Sequence, residues 1–229
     1  MKCRLGVFKL MPKLHKSVFG IRPIISCINH PTEVLCYIIL IILKEFVWKS
    51  KTILKDSQNL LQITGDLNCT KDTKLYSMDF VSLYTNMNSD HTIKTLTEFL
   101  AQNFKSPEIN NFGIYTFLKL IFFNNIFSFD GQFFIQTNGL AMGVICGPSI
   151  ANLYLYIIER HWVNLKKLFF YGRFIDDICL ITNGEADIEE LKSVFSYLKL
   201  DYESKEKINF LDLIISVDNN LNRLEFEVY

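Results

Sequence analysis

The chain has 229 residues, of which 49% are hydrophobic and 14% aromatic, and its formal net charge is zero. This length and apolar content can build one domain with a large interior, so they exclude a disordered chain. Zero net charge is unusual for a protein that binds nucleic acid, because such proteins normally carry clustered Lys and Arg. The charge is unevenly spread, however: the first 60 residues are mainly basic, whereas the segment after Glu185 is mainly acidic.

The first predicted helix covers an apolar run at residues 34–43, which ends at Lys44 and Glu45. Roughly 20 apolar residues are needed to span a bilayer, so we predict a buried helix over about 32–48 and no membrane partner. A second helix is predicted over 50–62. The N-terminus lacks the apolar run of a secretory signal, which favours an intracellular protein, nuclear or cytoplasmic.

A strand is predicted over residues 74–80. Because side chains alternate on a strand, Ser77 and Asp79 share one face, whereas Tyr76, Met78 and Phe80 can pack on a core. Asp79 is then expected at the strand end, facing a cleft. A single aspartate at a strand end is also commonplace, so the residue type alone does not identify a site.

The middle of the chain predicts two helices, a hairpin and a third helix. The helices cover about 90–104 and 110–124, and Asp130-Gly131 separates two short apolar runs at the spacing of a two-residue turn. A glycine-rich segment then leads to Pro148, which suits the first turn of a helix. That helix has apolar residues at helical spacing, which leaves Asn152, Tyr156 and Glu159 elsewhere on its surface.

Two apolar strands are predicted over 169–175 and 178–182, with Asp176 and Asp177 at the tight connection between them. Ionised carboxylates are costly in apolar surroundings unless a cation compensates them. If this hairpin lies beside the earlier strand, Asp79 and Asp176 can bind two Mg2+ ions roughly 3.5 to 4 Å apart, with Asp177 as an auxiliary ligand. Paired aspartates are also ordinary turn residues. Beyond them, we predict a helix over 187–200 and strands over 208–216 and 223–228.

Five motifs in this order resemble those of reverse transcriptases. Asp79-Phe-Val-Ser-Leu-Tyr-Thr-Asn is similar to the first palm motif, Gly139-Leu-Ala-Met-Gly with Gly147-Pro-Ser-Ile-Ala-Asn to the second, and Phe174-Ile-Asp-Asp to the third. Met11-Pro-Lys-Leu-His-Lys with Arg22-Pro-Ile-Ile-Ser resembles the fingers, and Ile208-Asn-Phe-Leu-Asp-Leu a later segment. The residues of these motifs are most similar to those of Penelope-like retroelements, which are relatives of telomerase. The matching segments run from about residue 8 to residue 215.

The resemblance implies a role for each matching position. The metal-binding residues would be Asp79, Asp176 and Asp177 with the backbone carbonyl of Phe80, and the cofactor two Mg2+ ions, or Mn2+ in their place. Residues matching nucleotide-binding positions are Lys13, Lys16, Arg22, Tyr84 and Gly143. Lys13 and Arg22, with Lys16 assisting, would bind the incoming triphosphate, and Tyr84 would block a ribose 2′-hydroxyl. Either Lys205 or Lys207 could protonate pyrophosphate, although a solvated surface lysine is the favoured interpretation of each.

The implied protein is an RNA-directed DNA polymerase core with an α+β right-hand palm, an antiparallel sheet with helices on one face. Fingers would occupy residues 1–70 and palm 71–229, with no thumb. Its partners would be an RNA or DNA template with primer, and deoxynucleoside triphosphates. Two alternatives stay open: a nucleic-acid-binding fragment with weak or no catalysis, and a domesticated palm with a structural role.

Overall fold

The computed structural model describes residues 3–12, 20–106, 109–166 and 168–228. Its helices are α1 Glu33–Lys49, α2 Ser57–Thr64, α3 Leu83–Asn86, α4 Ser89–Asn103, α5 Asn111–Phe123, α6 Gly147–Leu165 and α7 Ile188–Val194. Its strands are β1 Gly6–Pro12, β2 Ile21–Ser26, β3 Thr73–Phe80, β4 Ile126–Phe129, β5 Gln132–Ile135, β6 Phe170–Phe174, β7 Asp177–Asn183, β8 Leu200–Ser204, β9 Lys207–Phe210, β10 Leu213–Asp218 and β11 Arg223–Val228.

The chain divides into two compact units, each made of two segments. Unit 1 is Met1–Val47 with Ser82–Tyr154, and unit 2 is Trp48–Val81 with Leu155–Tyr229. Unit 1 contains a four-stranded sheet in the order β2-β1-β4-β5. β1 pairs antiparallel with β2 and parallel with β4. The hairpin of β4 and β5 is confirmed, and Asp130 and Gly131 at its turn have positive φ angles of 48° and 73°, as a two-residue turn of this kind requires.

Local sequence signals determine where the helices of unit 1 begin. The Asn88 side chain accepts a hydrogen bond from the His91 N–H at the start of α4, and Asn110 accepts one from the Gly113 N–H at the start of α5. The apolar run of α1 buries residues at helical spacing: Cys36, Ile39, Ile42 and Leu43. These three helices lie within two residues of their predicted bounds. None of the helices in the described ranges combines the length and the apolar character that a membrane span requires.

Unit 2 contains an antiparallel sheet in the order β6-β7-β3-β8 and a three-stranded sheet in the order β11-β10-β9. The predicted alternation of β3 is confirmed, because Tyr76, Met78 and Phe80 are buried while Ser77 and Asp79 are half-exposed. Residues of both sheets join one buried cluster, including Leu75, Cys179, Ile181, Ile208, Phe210 and Ile215. Leu75, Cys179 and Ile181 of this cluster share a sheet face with Asp79, whereas Tyr76, Met78 and Phe80 are buried on the opposite face. Both faces of the sheet therefore carry buried residues, and Asp79 lies half-exposed at the end of β3, beyond the cluster.

Three boundaries along the chain differ from prediction. The helix predicted over 187–200 ends at Val194, because a turn over 195–199 leads into β8, which begins at Leu200 and pairs with β3. The strand predicted over 208–216 is divided at Leu211, whose φ is +55°, so that β9 folds back on β10. The helix predicted over 50–62 begins only at Ser57, where the Asp56 side chain accepts a hydrogen bond from the Asn59 N–H.

Candidate active site

The two carboxylate settings predicted from the sequence are adjacent in unit 2. Strands β6 and β7 form a hairpin closed by a two-residue turn, Ile175 and Asp176, which we call the Asp176 turn. Strand β3 pairs with β7 in antiparallel register, and Asp79 lies directly opposite Asp177. The β-carbons of such directly opposed residues are about 4.5 to 5.5 Å apart. The register therefore brings together the carboxylates of an early strand and a later hairpin.

A backbone hydrogen bond connects the Asp176 turn to the end of β3. The Phe80 N–H donates to the carbonyl oxygen of Asp176 over 3.2 Å. The Phe80 ring is buried and packs edge-on against Phe195, with ring centroids 4.9 Å apart. The main chain of residues 79–80 is thus anchored by a core aromatic on one side and by the turn on the other.

The backbone at the Asp176 turn is strained. Ile175 has a φ of +55°, a left-handed conformation that costs a β-branched residue about 1 to 2 kcal/mol. Residues in such conformations occur preferentially at functional sites, where surrounding contacts hold them. A two-residue hairpin turn itself requires a positive φ, so the conformation of Ile175 accompanies the tight turn that carries Asp176.

Whether these residues suit Mg2+ depends on their donor atoms. Asp79, Asp176 and Asp177 are all half-buried, and like charges directly opposite each other destabilise a sheet unless a cation offsets them. Carboxylate oxygens are the ligands that Mg2+ prefers, and it commonly uses only one or two of them together with substrate phosphates. In the described part of the chain, no group of three or more His, Cys, Asp or Glu side chains is arranged as a metal site. The donor set fits an ion shared with a nucleotide rather than one enclosed by protein.

The nucleotide-binding candidates lie in unit 1. Arg22 is exposed on β2, where it pairs in register with Met11. Lys13 and Lys16 fall outside the described residues. Tyr84 lies on α3 and is half-exposed, and its carbonyl accepts a hydrogen bond from the Leu140 N–H over 2.7 Å.

Gly143 lies in the second motif, where the chain passes very close to β2. Its φ is +123°, and a β-carbon there would lie 2.2 Å from the carbonyl oxygen of Ile25. The Ile25 N–H in turn donates to the Met142 carbonyl over 2.7 Å. Only glycine fits this approach, so the motif glycine has a structural reason within unit 1.

Both candidates for the pyrophosphate-protonating lysine are exposed and form ion pairs. Lys205 contacts Glu203 at 2.5 Å, and Lys207 contacts Glu227 at 3.1 Å. Neither contact selects one of them, and the choice between the two lysines stays open.

Two functional candidates were missed in the sequence. Glu159 was expected on the surface of the α6 helix, but its side chain is fully buried, and so is that of Arg173 on β6. Asn152 is also buried, at 9% exposure, which corrects the same expectation. A usable signal was present, because an arginine inside the otherwise apolar strand 170–174 requires a buried partner.

Comparison with protein families gives one match over most of the chain. The family described as "Reverse transcriptase (RNA-dependent DNA polymerase)" matches residues 12–210. This range includes Asp79, Asp176 and Asp177 and agrees with the span of the five motifs. No curated protein matches the chain.

Solved structures with a similar fold include telomerases and a viral polymerase. Telomerase from Candida albicans, in complex with the TWJ fragment of telomeric RNA, has a TM-score of 0.71 at 11% identity and covers 95% of this chain and 46% of its own. Apo telomerase from Candida tropicalis has a TM-score of 0.70 at 12% identity, with coverages of 97% and 47%. The RNA-dependent RNA polymerase of a human picobirnavirus has a TM-score of 0.69 at 11% identity, with coverages of 93% and 43%.

These similarities confirm the predicted polymerase palm-like α+β fold. The chain spans about half the length of the solved structures that it matches.

Proposed function

Because the chain belongs to the reverse transcriptase family, we propose that it forms the core of an RNA-directed DNA polymerase, which adds deoxynucleotides to a primer 3′-hydroxyl. One observation carries this proposal: Asp79 lies opposite Asp177, and the Asp176 turn is hydrogen-bonded to Phe80 at the end of the same strand. The aspartates of two motifs thus occupy neighbouring backbone positions at one end of the central strands, which supports a phosphoryl-transfer site.

The residues of the chain would divide the work of binding and orientation. Asp79, Asp176 and Asp177, with the carbonyl of Phe80, would hold two Mg2+ or Mn2+ ions. When bound, these ions would activate the primer hydroxyl and neutralise the departing pyrophosphate. Arg22 would bind the triphosphate through its guanidinium, together with Lys13 and Lys16, and Tyr84 would exclude a ribose 2′-hydroxyl by steric clash. The protein itself would mainly position the reacting groups and neutralise the charge that develops on the phosphate.

The finer identity is also part of the proposal. The residues of the motifs support a Penelope-like retroelement protein. Its fingers would occupy residues 1–70 and its palm residues 71–229. The partners would be a primed RNA or DNA template and deoxynucleoside triphosphates. One of the similar telomerase structures contains an RNA fragment, which supports an RNA partner here.

Primer extension by the purified chain, on RNA and DNA templates with Mg2+, tests this function. We expect Asp176→Asn to lower the extension rate by at least about a hundredfold, because electrostatic stabilisation at the reacting phosphate is lost. Asp130→Asn is the matched control: it removes the same charge from an exposed turn residue whose positive φ suits asparagine, so wild-type extension is expected.

The outcomes separate the proposal from its alternatives. Wild-type rates in Asp176→Asn would contradict the site, whatever the overall activity. A wild-type chain that binds primer–template but does not extend it would instead be a nucleic-acid-binding domain.

A further inference from the structure

A buried ion pair lies behind the Asp176 turn in unit 2. The Arg173 Nε donates to Glu159 Oε2 over 2.8 Å and Nη2 donates to Oε1 over 3.2 Å, and both side chains have zero exposure. Glu159 belongs to α6 and Arg173 to β6, so the pair connects a helix to the strand that leads into the turn. The bidentate geometry gives it a defined orientation.

Other buried groups complete the hydrogen bonding of Glu159. The Tyr171 hydroxyl donates to Oε2 over 2.9 Å, and the Thr52 hydroxyl donates to Oε1 over 2.9 Å. Burial is also the main cause that raises the pKa of Tyr171 well above its usual value, so this hydroxyl stays a donor. The main chain of Arg173 is fixed as well, because its N–H donates to the Thr52 carbonyl over 2.7 Å and its carbonyl accepts from the Leu54 N–H over 2.8 Å.

Fold stability is a weak explanation for such a pair. Removing two charges from water is costly, and well-packed apolar residues often replace a buried ion pair without loss of stability. A reason beyond packing is therefore to be sought in what else the guanidinium contacts.

The remaining guanidinium nitrogen contacts the turn itself. Arg173 Nη1 donates to the carbonyl oxygen of Ile175 over 2.9 Å. This carbonyl precedes Asp176, and the carbonyl that follows, that of Asp176, accepts from the Phe80 N–H. Both peptide groups that flank Asp176 are thus hydrogen-bonded, one to a buried cation and the other to β3. The contact also holds Ile175 in its strained left-handed conformation.

We propose that Arg173 is a positioning residue for Asp176, and that Glu159 orients Arg173 from α6. The inference rests on the proposed function, since it assumes that Asp176 binds the metal. Groups that orient metal ligands in this way typically change metal affinity or activity by about 10- to 100-fold when they are removed. Arg173 touches neither substrate nor metal in this role; it acts only through the backbone of the turn.

Two variants separate positioning from fold stability. Arg173→Lys keeps a positive charge beside Glu159, but a single ammonium cannot reproduce the three-way contact of the guanidinium. The double variant Arg173→Met with Glu159→Gln removes both charges together, so no uncompensated charge stays buried, while the introduced amide keeps an oxygen that can accept from a hydroxyl. Leu224→Ala is the control, because it truncates a core residue of the other sheet in the same unit and lowers stability without touching the turn.

The experiment measures three quantities in each purified chain: the melting temperature, Mn2+ affinity by electron paramagnetic resonance without nucleotide, and primer-extension kinetics. For both Arg173 variants we expect kcat to fall about 10- to 100-fold and Mn2+ affinity about tenfold, with a less than threefold change in KM for the deoxynucleotide. Leu224→Ala should lower the melting temperature and leave Mn2+ affinity, kcat and KM within about threefold of wild type.

A folded double variant with wild-type Mn2+ affinity and kcat would overturn the inference and leave only a structural role. The inference is also overturned if Leu224→Ala, at the same melting temperature as an Arg173 variant, loses as much Mn2+ affinity and kcat as that variant. A wild-type chain that neither binds Mn2+ nor extends a primer would overturn the proposed function and the inference together. If wild type binds Mn2+ without extending, the proposed function alone fails, and the loss of affinity in the Arg173 variants still decides the inference.

Discussion

At the residue scale, the position of Asp79 follows from strand alternation, whereas its use depends on register. A shift of one residue between β3 and β7 would turn Asp79 to the face on which Met78 and Phe80 are now buried. Met78 and Phe80 are buried on the opposite face of β3, and the shift would remove both from that buried environment, which is unfavourable. The apolar core thus keeps the carboxylates of residues 79 and 177 opposite each other.

Tyr84 provides a test of sugar selection. If its ring excludes a 2′-hydroxyl, Tyr84→Ala should raise ribonucleotide incorporation relative to deoxynucleotide at least about tenfold, while deoxynucleotide turnover changes much less. Tyr84→Phe keeps the ring and is expected to keep wild-type discrimination. Single-nucleotide extension with matched dNTP and NTP measures both. Equal discrimination in all three chains would contradict the assigned role.

We expect His30 to make the stability of the fold depend on pH. Its side chain is 4% exposed, and its Nδ1 accepts a hydrogen bond from the Thr32 N–H over 3.3 Å. Burial lowers the pKa of His30 below 6.5, although a hydrogen bond to the Ile126 backbone and the charge of Glu33 oppose this. The unfolded chain therefore takes up the proton first, so His30's contribution is complete above about pH 6.5 and is lost as the pH falls below it.

We expect denaturant unfolding to show lower stability at about pH 5.5 than at about pH 7.5. His30→Gln should make this dependence shallower, whereas His161→Gln, at an exposed position, should not. An unchanged pH dependence in His30→Gln would exclude His30 as its source.

At the element scale, the backbone of the second motif at Gly143 lies in direct contact with the backbone of β2. Any β-carbon there would collide with the Ile25 carbonyl, which is part of β2 and cannot move alone. The element that carries Arg22 thus also supports the glycine-rich segment. Sequence motifs far apart in the chain meet here through backbone contacts.

Gly143→Ala should therefore destabilise the chain by more than about 2 kcal/mol, since backbone strain and overpacking both contribute. Gly131→Ala is the matched control: Gly131 also has positive φ, but nothing lies within 4 Å of the position that a β-carbon would take, so about 1 kcal/mol is expected. Urea unfolding measures both variants. An equal decrease in the free energy of unfolding in both variants would show that the close approach to Ile25 adds nothing to the cost.

At the scale of the whole molecule, the zero net charge limits how strongly nucleic acid can bind. Basic residues are concentrated in the first 60 positions, where only Glu33, Glu45 and Asp56 oppose them, and the segment after Glu185 is mainly acidic. Phosphate contacts are thus expected from few side chains. Duplex affinity should then respond only moderately to salt.

Between about 50 and 200 mM salt, we expect primer–template affinity to fall by less than the roughly thousandfold typical of six phosphate contacts. Lys9→Ala, on exposed β1, should make the slope of log K against log[salt] shallower by about 0.9. Lys192→Ala, which removes a cation from the acidic segment, should leave the slope unchanged. Fluorescence anisotropy measures both, and a steep slope that Lys9→Ala does not alter would refute the basic-edge interpretation.

Local rules predicted the elements whose signals lie within a few residues. The hairpin at Asp130-Gly131, the helices capped by Asn88 and Asn110 and the alternation of β3 all depend on neighbouring side chains. The end of α7 at Val194 and the division of the strand at Leu211 were missed, because β8 and β9 are stabilised by pairing with other strands. Pairing between segments overrode local propensity there.

The amino-acid sequence by itself determined the order of the motifs, the family, the elements that carry the aspartates and the face on which Asp79 lies. Only the tertiary structure decided that Asp79 lies opposite Asp177, that Gly143 meets Ile25, and that Glu159 is buried against Arg173. The physical reason is that periodicity and turn chemistry act over a few residues. Strand register and buried ion pairs depend on partners that only folding brings together.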